Sequence, residues 1–163
     1  IFVDQVFDTM ARADWHTFQL LTKRSKRLAD WAKARGRWPR NVWAGVSVES
    51  QDYAWRVDDL LLVPAEIRFL SIEPLLGPVK LKKSVLRQIQ WVIVGGESGH
   101  HARPMNPDWA RDLRDQCLAL NVPFFFKQWG LHDASGQRRR TKKDAGRVLD
   151  GRTWNAMPEL ATV

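Results

Sequence analysis

Apolar positions along the chain recur at two periods. Phe2, Val3, Val6, Phe7 and Met10 repeat at helical spacing, whereas HTFQLLTK, NVWAGVSVE, IRFLSIE, WVIVGGE and PFFFK are short runs of the kind that fill strands. The pattern predicts a first helix over 2–12 and strands over 16–23, 41–49, 67–73, 91–97 and 123–127. Helices lie between them. Ser25 is placed to cap one that buries Leu28, Trp31 and Ala32 and stops at Gly36. Ser50 is placed to cap another, carrying Ala54, Val57, Leu60 and Leu61 until Pro64 ends it. Asn106 opens a third on Pro107 and Asp108, with Ala110, Leu113, Cys117 and Leu120 inward. Between Pro74 and Gln90 the pattern weakens to a long connection with one or two helical turns.

Strands alternating with helices through short connections specify a parallel sheet with right-handed crossovers. Counting back by twos from the strand ends groups Gln19 with Lys23, Gly45 and Ser47 with Glu49, Ser71 with Glu73, Gly95 with Glu97, and Phe125 with Lys127. The opposite parity carries Leu20, Ala44, Val46, Leu70, Ile72, Val92, Val94, Phe124 and Phe126. One face is thus expected to be apolar and helix-covered, the other small or polar. An open doubly wound sheet needs apolar cover on both faces, so the expectation is an α/β chain folded as a parallel-stranded partial (β/α) barrel, TIM-barrel-like, with five strands. Unpaired strand edges invite association, so the isolated chain is expected to be marginally stable or self-associating. Residues 1–130 are expected to form the barrel domain, and 131–163, rich in Asp, Ser, Gly, Arg and Lys, a basic and partly flexible tail.

Composition adds a few constraints. A chain of 163 residues with 44% hydrophobic content suits one core-bearing domain. No apolar run approaches the roughly 18 residues of a membrane span, and no secretory pattern opens the sequence, so a cytoplasmic location without a membrane partner is expected. The single cysteine, Cys117, excludes an internal disulfide and any multi-thiolate cluster built from this chain alone. It sits on an apolar helical stripe and reads as buried and inert. A net charge of +8 favours an anionic ligand or nucleic acid as partner. Eight basic residues against Asp30 lie between Lys23 and Arg40, and six against Asp144 between Arg138 and Arg147.

Glu49, Glu73 and Glu97 end three strands at intervals of 24 residues, and Lys23 and Lys127 end two more. Ligands bind at the carboxyl ends of parallel strands. Glu49, Glu73, Glu97 and Lys127 are therefore the candidate catalytic groups, and Lys23, Arg24, Ser98 and Arg103 the candidate substrate-binding groups. The plainer alternative pairs each glutamate with Lys23, Lys127 or Arg103 in a structural network. Glu97 with His100 and His101 is too weak a pattern to assign a metal, and none is expected.

The segments LLTKR, GVSVE, SIEPLLGP, VIVGGESG followed by ARP, FFFKQWG and GRVLDGRTWNAMP resemble, in order, the phage-associated family called gp-thirty-seven/gp-sixty-eight, a domain of unknown function. That resemblance implies a barrel of the radical S-adenosylmethionine kind, whose amino-terminal part carries a three-cysteine motif. This chain begins at Ile1, after that motif, and resembles the carboxyl-terminal two-thirds of a member. The implied iron–sulfur cluster and S-adenosylmethionine thus belong to a full-length relative and fall on no residue here. Gly95, Gly96 and Glu97 match the Gly-Gly-Glu of radical enzymes in letters only. Two function readings follow. The chain is part of a radical-enzyme-like barrel, inactive without its upstream half, or it is a basic nucleic-acid-binding module without catalysis.

Overall fold

The computed structural model describes residues 2–159, so the end of the expected tail, 160–163, lies outside the described residues. The elements are α1 (Phe2–Arg12), β1 (Phe18–Thr22), α2 (Ser25–Arg35), β2 (Val42–Ser47), α3 (Arg56–Leu61), β3 (Arg68–Ile72), α4 (Lys83–Leu86), β4 (Trp91–Gly95), α5 (Pro107–Leu118), β5 (Phe124–Gln128) and α6 (Lys142–Ala145). Local chemistry sets several of their ends. The Asn106 side chain accepts from the Asp108 N–H at 2.9 Å, with Pro107 in the first turn of α5. Gly36, at φ 72°, closes α2 in the left-handed conformation that a side chain resists.

Two expected caps take other roles. Ser25 lies inside α2, and its hydroxyl donates instead to Asp59 Oδ2 of α3 at 2.7 Å, tying the two helices together. Ser50 precedes a short 3-10 turn, Gln51–Tyr53, and caps nothing through its side chain; α3 begins only at Arg56.

The five strands lie in the order β1-β2-β3-β4-β5, all parallel. Strand order never reverses, so right-handed crossovers bring every connection back on one side. The buried residues agree. Ala44, Val46, Leu70, Ile72, Val92, Val94, Phe124 and Phe126 share a core with Leu28 and Ala32 of α2, Val57 and Leu60 of α3, and Leu113 and Cys117 of α5. α1 closes the β1 end of that side, where Phe7 packs on Trp31 at 4.2 Å and on Trp38 at 5.0 Å.

Among the described residues the opposite face carries no helix, and it corrects one expectation. Its amino-terminal layers are aromatic rather than small or polar: Trp43, Ile67, Phe69 and Trp91 are buried together, with Ile93 and Phe125 against them. Trp91 is the hub, 5.9 Å from Trp43 and 5.8 Å from both Phe69 and Phe125. With no helix to cover it, this end of the face fills itself with rings. Register explains how they fit, because Leu21, Gly45, Phe69 and Trp91 form one row across four strands. A Cβ on Gly45 would lie 2.3 Å from the Phe69 ring.

Past β5 the chain folds back along the sheet. Trp129 N–H donates to Gly146 O at 3.1 Å, and Thr141 and Asp144 form a reciprocal capping box on α6. Ala145 and Leu149 enter the helix-side core. Phe126 N–H then donates to Trp154 O at 3.0 Å, Asn155 forms an antiparallel bridge to Phe125, and Trp91 Nε1 donates to Ala156 O at 2.8 Å. The outer edge of β5 is therefore crossed by 154–156, whereas β1 ends the sheet on the other side. Among the described residues no helix is long and apolar enough to cross a membrane.

The Phe69 ring is fixed in a buried row, so Gly45→Ala should destabilise the fold by about 1–3 kcal/mol, the range of overpacking in a well-filled core. Urea unfolding followed by far-UV circular dichroism measures it. An unchanged midpoint would show that the ring row yields freely.

Candidate functional site

Each strand end delivers its glutamate to a cation, and the three pairs differ in depth. Glu49, just past β2, is 5% exposed. Its Oε1 meets Lys23 Nζ from the end of β1, and its Oε2 accepts from Arg56 Nη1 at 2.9 Å. The same Arg56 nitrogen donates to Ser47 O at 2.9 Å, and the guanidinium lies 4.3 Å from the centre of the Tyr53 ring. Burial pushes the Glu49 carboxyl up, but the hydrogen bond from Lys23, a backbone hydrogen bond and the charges of Lys23 and Arg56 outweigh it and hold the group below the usual carboxylate range. Arg56 is a site residue that sequence reasoning missed. Its position in the first turn of a helix gives no sign that it bends back under the strand end.

Glu73, just past β3, accepts from Lys127 Nζ at Oε2 and from Gln128 Nε2 at Oε1, both at 3.0 Å. Neighbouring residues of a regular strand point to opposite faces, so parity alone puts Gln128 among the helices. A bulge changes this. Val94 pairs with Phe126 while Gly95 pairs with Gln128, so Lys127 is an inserted residue and both side chains reach the same carboxylate. Gly95 makes the approach possible, since a Cβ there would lie 3.1 Å from Glu73 Cδ.

Glu73 and Lys127 form one wall of a pocket of about 380 Å³ on the helix-free face. Its floor is Phe69, Trp91, Ile93 and Phe125, its β1 flank is Gln19 and Leu21, and Ser71 stands below Glu73. A polar wall over an apolar floor is the usual composition of a small-molecule site. A hollow of about 420 Å³ lined by Asp14, Pro39, Arg40 and Glu66 lies toward the amino ends of the strands. Parallel α/β folds place their chemistry at the other end.

Glu97 is held apart from the pocket. Arg103 grips it with Nε to Oε2 at 2.8 Å and Nη2 to Oε1 at 2.9 Å, and the Arg103 N–H adds a bond of 2.9 Å to Oε2. The Arg103 side chain, its backbone N–H and its charge together lower the Glu97 carboxyl to about 2. The Glu97 carbonyl accepts from Leu131 N–H at 3.0 Å, and a Cβ on Gly130 would lie 2.2 Å from that oxygen. Of the remaining candidates, Arg24 is exposed just past β1, its N–H on Thr22 Oγ1 at 3.0 Å, and Ser98 is exposed in the loop after β4. His100 and His101 face each other with ring nitrogens 3.3 Å apart.

A family described as a protein of unknown function, DUF5131, matches residues 1–158. The chain belongs to the DUF5131 family. No curated protein and no solved structure matches it.

In this DUF5131 chain the strand-end charges thus form three separate pairs rather than one constellation. Only Glu73 and Lys127 of the expected groups line the pocket, joined by Gln19 and Ser71, while Gln128 holds Glu73 from outside it. The Glu97–Arg103 pair makes a pH-dependent contribution whose sign is fixed. Because the folded carboxyl lies below its ordinary 4.5, the contribution is complete above that value and disappears as pH falls toward about 2. Arg103→Met should therefore lower the urea midpoint at pH 7 and converge with the parent protein near pH 2. Asp133 and Asp150, also lowered to about 2, titrate in both proteins and cancel in the difference. A midpoint difference that stays constant from pH 7 to pH 2 would refute the assignment.

Proposed function

We propose that this chain supplies five consecutive strands of a (β/α) barrel enzyme of the radical S-adenosylmethionine kind, and that its helix-free pocket is part of the substrate site. The observation that carries the reading is the chain-ordered parallel sheet with helices on one side only. A singly wound sheet leaves its inner face to be covered by further strands, and that face here holds a pocket with an ion pair at the carboxyl end of the strands. The direction of growth is also limited. Residues 154–156 cross the β5 edge, so further strands add beside β1. The resemblance to the phage-associated family supplies the reaction class.

The residues present do not fit an iron–sulfur cluster. Cys117 is the single thiol, it is buried in the helix-side core, and burial pushes it up to about 12, against the thiolate that ligation requires. Among the described residues no three His, Cys, Asp or Glu side chains are grouped to hold a metal. In this reading the cluster and its S-adenosylmethionine are held by polypeptide outside the chain, and the pocket residues bind and orient the substrate. Lys127 and Gln128 hold the Glu73 carboxylate in place over Gly95, while the ring floor excludes water beneath it.

The nucleic-acid-module reading has less support, because many of its cations are engaged within the chain. Lys26 pairs with Asp30, Arg35 and Arg37 with Asp8, Arg40 with Glu66, and Arg139 with Asp133.

Anaerobic reconstitution with iron and sulfide separates the two. The chain alone should stay colourless, and the chain joined to the coding sequence upstream of Ile1 should bind iron and gain thermal stability. A colourless joined protein, or one no more stable than the chain alone, would overturn the barrel reading. Steeply salt-dependent retention on DNA by the chain alone would favour the binding module instead.

A further inference from the structure

The wall and floor of the helix-free pocket specify more than a small molecule. Glu73 uses one lone pair on each oxygen, toward Gln128 and Lys127, and a carboxylate oxygen accepts at two sites. Two adjacent acceptor positions therefore remain. Lys127 is half exposed and spends one of its three N–H groups on Glu73, so donors remain beside those acceptors. The complementary ligand edge carries two neighbouring N–H donors next to a carbonyl oxygen. Beneath that edge the floor of Phe69, Trp91 and Phe125 offers ring surface to a flat body, and about 380 Å³ holds one heterocycle with its sugar. One further feature points to a ligand on this face. On the same face of β1 as Gln19 and Leu21, Lys23 stands exposed past the strand end, with one of its three N–H groups toward Glu49.

We infer that the pocket takes a guanine-type base carrying a phosphate. The base lies over the Trp91 floor with its N1–H and exocyclic amine on Glu73 and its carbonyl oxygen on Lys127, and the phosphate rests on Lys23. The inference deepens the substrate-site reading above and rests on it. Its test requires neither iron nor upstream sequence, so the two fail independently. A colourless joined protein that still binds the base overturns the barrel alone, and a reconstituted protein blind to nucleotides overturns the base site alone.

Calorimetric titration of the 163-residue chain with guanosine 5′-monophosphate, guanosine, adenosine 5′-monophosphate and a short guanine-containing single strand tests it. The guanine nucleotide should bind at least about tenfold more tightly than the adenine nucleotide, whose edge leaves the Glu73 and Lys127 groups mispaired. Glu73→Gln and, independently, Lys127→Met should each weaken it about tenfold or more, with near-UV circular dichroism confirming an intact ring cluster. Lys23→Met should weaken the nucleotide and leave guanosine unaffected. Tighter, salt-dependent binding of the single strand assigns the base to nucleic acid, and tighter binding of the mononucleotide assigns it to a free metabolite. Equal affinity for the two mononucleotides, no binding at millimolar concentration, or indifference to both wall substitutions overturns the inference.

Discussion

A parallel sheet laid down strictly in chain order cannot be covered on both faces by its own connections. Each right-handed crossover returns on the same side, so α2, α3 and α5 stack over one surface and leave the other bare. Much of the molecule is a response to that imbalance. At the amino-terminal end of the bare face the chain packs rings on rings around Trp91; at the carboxyl end it sets charged groups against one another. Between the two lies the pocket. Its apolar floor and polar wall are the meeting of two different ways of finishing an uncovered surface.

The glycines show how tightly these solutions are coupled to register. Phe69 lies across Gly45 on the preceding strand, and Glu73 lies across Gly95 on the following one. Side chains of β3 thus lean in both directions, downward as a ring and upward as a carboxylate, and each lean requires a missing Cβ on its neighbour. Close backbone approach at Gly96, where a Cβ would lie 1.9 Å from Trp129 O, locks the ends of β4 and β5 in the register that sets the bulge. The bulge in turn delivers two donors to one carboxylate. Backbone geometry and site chemistry are here one constraint.

That coupling also explains what was legible in the sequence. The number of strands, their parallel sense, the helix-covered parity and the Asn106 cap all follow from local periodicity and turn chemistry, and all are present. The pairing of Glu49, Glu73 and Glu97 with Lys23, Lys127 and Arg103 was visible as the plainer alternative to a shared site. Gln128 was hidden because a bulge has no signature in side-chain alternation. Arg56 was hidden because a helical arginine looks the same from the sequence whether it faces water or a buried carboxylate. The aromatic layer lies at positions 43, 69 and 91, on the same parity as the polar strand ends but deeper in the strands, where the small and polar residues of the ends no longer report the character of the face.

Residues 154–156 have a consequence for how copies of this chain meet one another. They occupy one margin of the sheet, so among the described residues a single margin, along β1, is left to an incoming strand. A fibre needs two live margins per unit, one to receive and one to offer. With only one, edge-to-edge association ends when two copies have met, and the Trp154 carbonyl that binds Phe126 acts as a chain terminator for polymerisation.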